Sequence, residues 1–290
     1  MNTKHNAGFP TEKTLCGVTL CGFAISAVAN YVMVPALKAV FDLGHCHMGA
    51  VSLPNVFLTH VHKDHMAGLP VWFSLREMQG MDPGRVILPE CDLDRMVALM
   101  ESYDRLEGES TYNRRPQFLG VRNGDVVPLG KNNQVKVLDV THRIPSVGYT
   151  VVETRRKLRE DLQGKTSAEI MAAKARGEDI NVVVTHPVFT YIGDSTIDTY
   201  LRHPEVGESD VLVIESTYIG NEDRPLAAKH GHTHLDELVD LWRTHPNTLG
   251  NKAIVLKHFS TRYDLADIYT TLAKLPEGLR ERVTALLPSS

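Results

Sequence analysis

The sequence has few cysteines and no long apolar run, and both shortages narrow the class of protein. Its four cysteines (Cys16, Cys21, Cys46 and Cys91) are scattered and form no Cys-x-x-Cys pair, which argues against a disulfide framework. No apolar stretch approaches the roughly 20 residues that a membrane-spanning helix needs. The N-terminal stretch MNTKHNAGFPTEKT resembles neither a signal peptide nor an Arg-rich transit peptide. We therefore expect a soluble, cytoplasmic protein that does not bind membranes.

Positive charge is not in excess either. The formal net charge is −4, from 31 Lys and Arg against 35 Asp and Glu. The whole molecule therefore does not attract polyanions, and a nucleic acid would have to meet a local basic patch. The chain is, however, long and rich in histidine. Its 290 residues fit one large domain or two small ones with a sizeable core, and the placement of its 14 histidines is informative.

Strand and helix signals alternate along the chain, which predicts an α/β or layered α+β architecture. We predict helices after His65 and over DLDRMVALMESYDRL, SAEIMAAKARG, LDELVDLWRTH and LADIYTTLAKL. We predict strands over LCGVTLCGFAI, KAVFDLG, VFLTH, RVILP, VKVLDVTH, GYTVVET, FTYIG, DVLVIES and AIVLKH. Five apolar strands stop at a residue that can bind metal or transfer a proton: His60, His142, Asp194, Glu215 and His258. Because ligands of open α/β sheets lie beyond the carboxyl ends of strands, we expect these side chains to share one rim.

The stretch THVHKDH places three histidines and an aspartate within six residues. His60 and His62 lie two apart in an extended segment and so share a face, where they can bind one ion. Asp64 and His65 follow a turn, and we expect them to face a second ion nearby. Helix N-capping is the alternative for Asp64, although it does not explain the surrounding histidines. Imidazole and carboxylate ligands suit zinc, with manganese or iron as alternatives.

A site with two ions also suits phosphate chemistry, because two metals roughly 3.5–4 Å apart can clamp both the attacking and the leaving oxygen. Seven ligands, one of them a bridging carboxylate, would serve two ions and leave a position for water. The seven candidates are His60, His62, Asp64, His65, His142, Asp194 and His258. Cys46, in the stretch GHCHMG, is a weaker zinc candidate, since a buried thiol at a strand end is the commoner explanation.

Several stretches resemble a known family. THVHKDH resembles the H-x-H-x-D-H motif of the metallo-β-lactamase superfamily. THRIPSVGY, YIGDST and LKHFSTRY resemble its ribonuclease Z (tRNase Z) branch, the tRNA 3′-processing endonucleases, and VIESTY followed by GHTHLDELV resembles the short, plant-type members. The similarity runs from about Phe41 to the C-terminus. It implies a four-layer αββα sandwich formed by a single domain over residues 1–290, and family members are commonly homodimers.

The resemblance also implies a role for each motif residue. One zinc ion would be held by His60, His62 and His142, and the other by Asp64, His65 and His258, with Asp194 as the bridge. Asp64 is expected to be the general base for the attacking water. Glu215 and His232 are expected to form a pair that protonates the leaving 3′ oxygen.

The chemistry independently calls for such a pair, because a protonated histidine held by a carboxylate stabilises a departing alkoxide near neutral pH. Three histidines crowd this part of the chain, namely His230, His232 and His234. Only His232 has the motif position. We expect the other two to be solvated residues at a helix start.

Two further sets of residues are candidate substrate contacts. Ser146, Thr217 and Arg262 are candidates for phosphate, with a buried structural arginine as the alternative for Arg262. Residues 154–176 hold seven Lys or Arg and three Asp or Glu, a net charge of +4 in an acidic chain. They lie in a candidate arm, residues 154–183, at the position of the arm with which ribonuclease Z grips tRNA, although the usual Gly-Pro pattern is missing. A solvated amphipathic helix is the alternative, and the RNA contacts expected in the arm are Arg155, Arg156, Lys157 and Arg159.

We therefore predict a zinc-dependent endoribonuclease that removes 3′ trailers from precursor tRNA and reads the backbone charge and shape of its RNA. The first alternative is a phosphodiesterase of the same fold that acts on small substrates such as cyclic nucleotides and does not need the basic arm. The second is a non-catalytic RNA-binding relative whose site is only structural. β-Lactamase and glyoxalase activities fit less well, because Glu215 and His232 would then have no evident task.

Overall fold

The computed structural model describes residues 9–108 and 116–289. Within these residues the strands form two seven-stranded sheets. The first sheet contains β1 (Thr11–Leu15), β2 (Val18–Ile25), β3 (Ala29–Val34), β4 (Ala39–Phe41), β5 (Asn55–Phe57), β6 (Arg85–Pro89) and β7 (Gln117–Val121). The second contains β8 (Val126–Leu129), β9 (Asn133–Val140), β10 (Ser146–Leu158), β11 (Asn181–Tyr191), β12 (Val211–Glu215), β13 (Ala253–Lys257) and β14 (Val283–Ala285).

The helices in these ranges are α1 (Met48–Val51), α2 (Lys63–Met66), α3 (Leu69–Met78), α4 (Leu93–Leu106), α5 (Ser167–Ala175), α6 (Asp198–Arg202), α7 (Arg224–His230), α8 (Leu235–Thr244), α9 (Leu265–Leu272) and α10 (Glu277–Arg280). The four quoted helical stretches correspond to α4, α5, α8 and α9, and the helix predicted after His65 is α3. None of the helices in the described ranges is long and apolar enough to cross a membrane.

Each sheet combines an antiparallel half with a parallel half. In the first sheet β1 to β4 pair antiparallel and β4 to β7 pair parallel. In the second, β8 to β11 pair antiparallel and β11 to β14 pair parallel. Parallel neighbours need crossover connections, which α1 to α4 supply for the first sheet and α6 to α10 for the second. The carboxyl ends of the parallel strands of each sheet therefore meet at one edge.

The inner faces of the two sheets pack on each other, and helices cover both outer faces. The shared core contains buried side chains from both sheets, among them Phe41 and Tyr149. Outside the first sheet, Trp72 of α3 packs in a second cluster. Outside the second sheet, Leu238 of α8 and Ile268 of α9 pack in a third. The predicted four-layer αββα arrangement is confirmed.

The strand predictions are less complete than the helix predictions. LCGVTLCGFAI is not one strand but the end of β1 and all of β2. Cys16 and Gly17 between them have φ values of 51° and 81°, the backbone of a tight two-residue hairpin turn. The structure also contains β3, β7, β8 and β14, which are not among the predicted strands. β3 is buried at every residue and so lacks the alternation that marks a half-buried strand.

The candidate arm is a two-stranded hairpin with a helical end. β10 pairs with β9 only as far as Glu153, whereas it pairs with β11 out to Leu158. The outer part of the hairpin therefore extends past the neighbouring strand of the sheet. Between the two strands lies α5, which begins with a capping box formed by Thr166 and Glu169.

Candidate active site

The expected rim is present at the carboxyl ends of the strands. Five residues follow or end a strand: His60 after β5, His142 after β9, Asp194 after β11, Glu215 at the end of β12 and His258 after β13. The loop after His60 and the start of α2 add the three remaining residues of THVHKDH: His62, Asp64 and His65. All seven predicted ligands lie together in this structure.

One group of ligand atoms comes from His60, His62, His142 and Asp194, which lie within 4.8 Å of one another. His62 Nδ1 is 2.9 Å from His60 Nε2 and 3.4 Å from His142 Nε2. The side chains of His60 and His142 are fully buried, whereas His62 is partly exposed. Solvent therefore reaches this group at His62.

A second group is formed by Asp64, His65 and His258, with the same spacing. Asp64 Oδ2 lies 3.4 Å from His258 Nε2 and 3.6 Å from His65 Nε2. Asp64 does not cap its helix, because the N-cap of α2 is His62 and no side chain bonds there. The capping alternative for Asp64 is therefore wrong.

Asp194 lies between the two groups and faces both. Its Oδ1 is 3.3 Å from His65 Nε2 and 3.2 Å from His258 Nε2. Its Oδ2 is 3.7 Å from His60 Nε2 and 4.0 Å from His142 Nε2. The residue is only 2% exposed, and Oδ1 has no hydrogen-bond partner among the described residues. Burying a carboxylate oxygen that accepts no hydrogen bond costs free energy unless a cation lies next to it.

Outer hydrogen bonds orient four of the five clustered histidines. Each donates from Nδ1 to a protein oxygen: His60 to Thr59 Oγ1 (3.0 Å), His65 to Asp42 Oδ2 (2.8 Å), His142 to the Gly231 carbonyl (2.7 Å) and His258 to Thr217 Oγ1 (2.8 Å). Such bonds fix the tautomer and the ring orientation of a metal-binding histidine. They leave Nε2 of each ring to face the cluster.

Asp42 is not among the predicted site residues, although its hydrogen bonds support the cluster. It follows β4, is fully buried and has a φ of 54°, a value that is uncommon outside glycine. Besides His65, its carboxylate accepts hydrogen bonds from the Thr59 amide at 2.8 Å, the Thr59 hydroxyl at 2.9 Å and the Tyr191 hydroxyl at 2.9 Å. The signal that could have found it is KAVFDLG, in which a sixth apolar strand stops at an acidic residue.

Burial and neighbouring charges divide the histidines into two protonation classes. Burial lowers the pKa of three of them: His60, His62 and His142. These rings are neutral near pH 7, which is the form that binds metal. Burial also opposes the charge of His65, but the carboxylates of Asp194 and Asp42 outweigh it and raise the pKa of His65 to about 10.

The Asp64 carboxyl stays ionised at neutral pH. Burial favours its neutral form, but the hydrogen bond from His258 and the charge of His65 lower the pKa of Asp64 to about 2. Its Oδ2 also accepts hydrogen bonds from the Ala27 amide at 3.0 Å and from Asn30 Nδ2 at 3.1 Å. The carboxylate is thus held firmly at the edge of the second group.

Glu215 and His232 form the expected pair. His232 Nδ1 donates to Glu215 Oε1 at 2.8 Å, and Glu215 is fully buried. The amides of Ser195 and Thr217 donate to the two carboxylate oxygens at 2.8 and 3.0 Å. Burial lowers the pKa of His232, but the charge and hydrogen bond of Glu215 outweigh it and raise that pKa to about 9.

His232 also lies within 4.8 Å of Asp194 and His258, as a third possible ligand group. The atom that it would offer is Nδ1, which lies 4.0 Å from Asp194 Oδ2. The same atom is already bonded to Glu215 at 2.8 Å. The geometry therefore favours a protonated side chain next to the cluster over a ligand within it.

Two neighbouring histidines differ from each other. His230 is partly exposed. His234 is fully buried, so the expectation that it is solvated is wrong. It is the N-cap of α8, where its Nδ1 accepts from the Asp236 amide at 3.1 Å and its Nε2 lies 2.8 Å from the Gly220 carbonyl.

The three candidate phosphate contacts lie near the cluster in different states. Ser146 is buried and donates to the Ile144 carbonyl. Thr217 is 1% exposed, and its hydroxyl donates to Glu215 Oε2. Neither hydroxyl faces open space in this structure. Arg262 is half-exposed, donates to Asp223 Oδ1 at 2.9 Å and lies over the Tyr218 ring, so the buried-arginine alternative does not describe it.

Of the predicted arm contacts, three are exposed and Arg159 is partly exposed, and they differ in their charge balance. Arg155 is paired with Glu153, and Arg159 is paired with Asp161 and Glu178. Arg156 and Lys157 are exposed and form no ion pair within residues 9–108 and 116–289. Two of these four positive charges are therefore neutralised by carboxylates in the arm or directly before it.

Cys46 is half-buried and does not join a ligand group. Burial raises the pKa of its thiol to about 11. Among the described residues, the three groups of possible metal ligands contain no cysteine. The interpretation of Cys46 as a structural thiol is therefore favoured.

Comparisons with known proteins agree with this geometry. No family model matches the sequence. The chain is 30% identical over 276 residues to tRNase Z TRZ1 of Arabidopsis thaliana, and the match covers 93% of this chain and 95% of that protein. The metallo-beta-lactamase fold protein YhfI of Bacillus subtilis has the same fold, with a TM-score of 0.62 and 12% identity over 97% of this chain and 98% of that one. Human tRNase Z, short form, superposes with a TM-score of 0.59 and 18% identity over 85% of this chain and 94% of that one.

Proposed function

The chain belongs to the ribonuclease Z (tRNase Z) family, and from this membership we propose that it is a metal-dependent endoribonuclease that removes 3′ trailers from precursor tRNA. The observation that carries the proposal is the His232–Glu215 pair beside a cluster of seven ligand residues. Both features suit metal-dependent hydrolysis of a phosphodiester bond, because the metal cluster serves the attacking water and the protonated histidine serves the leaving oxygen.

The residues present fit two metal ions. The cluster consists of imidazole nitrogens and carboxylate oxygens, which suit zinc and also manganese or iron, and the Asp194 oxygen without a hydrogen-bond partner calls for a cation. We propose two zinc ions, one held by His60, His62 and His142, the other by Asp64, His65 and His258, with Asp194 as the bridge. Such ions lower the pKa of water and neutralise charge on a phosphate.

The protein side chains then move the protons. Asp64 is the proposed general base, and its ionised carboxylate can accept a proton from the attacking water. His232 carries a proton at neutral pH, since Glu215 raises its pKa to about 9, and donates it to the leaving oxygen. Glu215 holds the ring in place through the 2.8 Å hydrogen bond.

The reaction balances with these two residues. The water oxygen forms a bond to phosphorus while the bond from phosphorus to the 3′ oxygen breaks. Asp64 takes a proton from the water, and His232 gives one to the 3′ oxygen. The products are a tRNA with a 3′ hydroxyl and a trailer with a 5′ phosphate.

The hairpin arm supports an RNA substrate over a small one. A small phosphodiester would fill only the cluster, whereas the arm extends exposed cations away from the sheet. We propose that residues 1–290 form one catalytic domain with the arm, residues 154–183, as its tRNA contact. We also propose that the protein is a homodimer and that it lies in the cytoplasm. Size-exclusion chromatography with light scattering would check the dimer, and a fluorescent fusion would check the location.

The test uses zinc-loaded protein and a precursor tRNA labelled at its 5′ end and carrying a 3′ trailer. We expect a single cut directly after the discriminator base. His232→Gln should slow the cut by about 10²–10⁴-fold, the usual contribution of a general acid, and Asp64→Ala should abolish it.

A cyclic nucleotide is the comparison substrate. Turnover of the cyclic nucleotide with no cut in the precursor would reject the tRNA proposal and favour the small-substrate phosphodiesterase. RNA binding without hydrolysis of either substrate by fully metal-loaded protein would favour the non-catalytic alternative.

A further inference from the structure

Two exposed cations lie beside the proposed proton donor and take no part in the proposed reaction. Arg143 directly follows His142, and Lys229 lies in the last turn of α7, three residues before His232. Both side chains are exposed. We refer to these two residues as the Arg143–Lys229 patch.

Local packing holds Arg143 next to the segment that carries Lys229, because Lys229 lies two residues before Gly231. The Gly231 carbonyl accepts the hydrogen bond from His142 Nδ1 at 2.7 Å. Gly231 has a φ of 70°, and a Cβ at this position would lie 2.9 Å from Arg143 Cγ. The Arg143 side chain therefore packs on the residue that directly precedes His232.

A third cation lies on another contact of His232. The Tyr218 ring meets the His232 ring edge-on with centroids 6.1 Å apart, and the Arg262 guanidinium lies 5.7 Å over the Tyr218 ring. Arg262 is partly neutralised by Asp223 at 2.9 Å. Arg143 and Arg262 thus each pack against a neighbour of His232, namely Gly231 and Tyr218.

The charges of the patch are not balanced by acidic neighbours. Within the described ranges, neither Arg143 nor Lys229 forms an ion pair, in contrast to Arg155 and Arg159 in the arm. Slight burial and then the charges of Lys229 and Arg143 lower the pKa of His230, which agrees with the closeness of the two cations. Unpaired cations beside an active site attract phosphate.

We propose that the Arg143–Lys229 patch binds the RNA backbone on the tRNA side of the scissile bond, at the last nucleotides before the cut. The inference rests on the proposed function. His232 protonates the 3′ oxygen, and that oxygen belongs to the last nucleotide of the mature tRNA. Cations that pack against the neighbours of His232 therefore lie nearer the nucleotides before the cut, whereas the trailer keeps the phosphate together with the new oxygen from water.

The test compares Arg143→Gln/Lys229→Gln with Lys131→Gln/Lys136→Gln, a control pair that removes the same charge. Lys131 and Lys136 are exposed, in the turn before β9 and within β9, away from its carboxyl end at His142. Inhibition of precursor cleavage is measured with two ligands: mature tRNA that ends in a 3′ hydroxyl, and the trailer oligonucleotide with a 5′ phosphate. We expect the patch variant to weaken inhibition by mature tRNA roughly tenfold more than inhibition by the trailer, and to reduce the salt dependence of precursor binding by about one unit of slope per lost contact.

Three outcomes would overturn the inference while the wild-type protein still cuts the precursor. The first is a patch variant that behaves like the control pair. The second is a larger loss for the trailer than for mature tRNA, which would put the patch on the trailer side. The third is an equal loss of activity towards bis(p-nitrophenyl) phosphate. This substrate has no neighbouring nucleotide, so the result would put the cations at the scissile phosphate. A wild-type protein that does not cut the precursor would instead reject the proposed function.

Discussion

At the scale of single residues, hydrogen bonds from neighbouring side chains support the cluster of proposed ligands. Asp42 accepts four hydrogen bonds, from His65, Tyr191 and two atoms of Thr59. It therefore holds His65 directly and His60 through Thr59. Outer carboxylates of this kind orient metal-binding histidines and increase their basicity.

Asp42→Asn should lower zinc affinity about 10–100-fold, the usual effect of losing such a partner. The amide group of asparagine must turn its NH₂ towards one of four donors, so at least one hydrogen bond becomes a repulsive contact. The measurement is competition for zinc with a chromophoric chelator. Asp94→Asn, an exposed residue in the first turn of α4, is the control, and unchanged affinity in Asp42→Asn would contradict the positioning role.

Thr217 connects the Glu215–His232 pair to the cluster of proposed ligands. Its hydroxyl donates to Glu215 and accepts from His258 Nδ1 at 2.8 Å. The sequence makes it a candidate phosphate contact, but the residue is only 1% exposed, and we assign it to positioning. A hydroxyl that uses its only proton on Glu215 must accept from His258, and this fixes the tautomer of that ring.

Two substitutions at Thr217 separate hydrogen bonding from packing. Thr217→Val keeps the shape and removes the hydroxyl, whereas Thr217→Ser keeps the hydroxyl and removes a methyl group. We expect kcat and zinc affinity to fall about tenfold or more in the valine variant and to be largely restored in the serine variant. The reverse order, in which valine is tolerated and serine is not, would show that Thr217 only packs.

At the scale of elements, the strand-end residues, Asp42 among them, have a signal in the sequence, whereas the contacts that support the site between distant loops do not. An apolar run that stops at His60 or His258 can be recognised in the amino-acid sequence. The burial of His234 depends on a contact with the Gly220 carbonyl in another loop, and the role of Thr59 depends on the approach of Asp42 from β4. β3 could not be recognised from alternation, because both of its faces are buried.

The arm offers a prediction at this scale, because its cations differ in their neutralisation. Arg156→Gln/Lys157→Gln removes two unpaired charges, and Arg155→Gln/Arg159→Gln removes two that are paired with carboxylates. If the arm binds tRNA, the first pair should raise KM for the precursor several-fold more than the second, with a reduced salt dependence of about one unit of slope per lost phosphate contact. Equal effects of the two pairs on KM would contradict the idea that charge balance decides RNA binding by the arm.

At the scale of the whole molecule, two sheets of similar design bring their strand ends together. The first sheet supplies His60 and, through the chain that follows β5, the rest of THVHKDH. The second supplies His142, Asp194 and His258. The metal ions would therefore join the two halves of the sandwich. Their removal should change both the protonation of the histidines in the cluster and the stability of the fold.

Metal binding should release one proton from His65. Without metal, the carboxylates of Asp194 and Asp42 raise the pKa of His65 to about 10, so its ring is charged at pH 7.5 and must lose a proton to become a ligand. The rings of His60, His62 and His142 are already neutral, because burial lowers their pKa. His232, with a pKa of about 9, keeps its proton if it is the acid.

Calorimetric titration of chelator-stripped protein with zinc, in buffers of different ionisation enthalpy, counts the released protons. The apparent affinity for zinc should rise about tenfold per pH unit below pH 10. Release of two protons by the wild type and one by His232→Gln would make His232 a metal ligand and remove it from the role of proton donor.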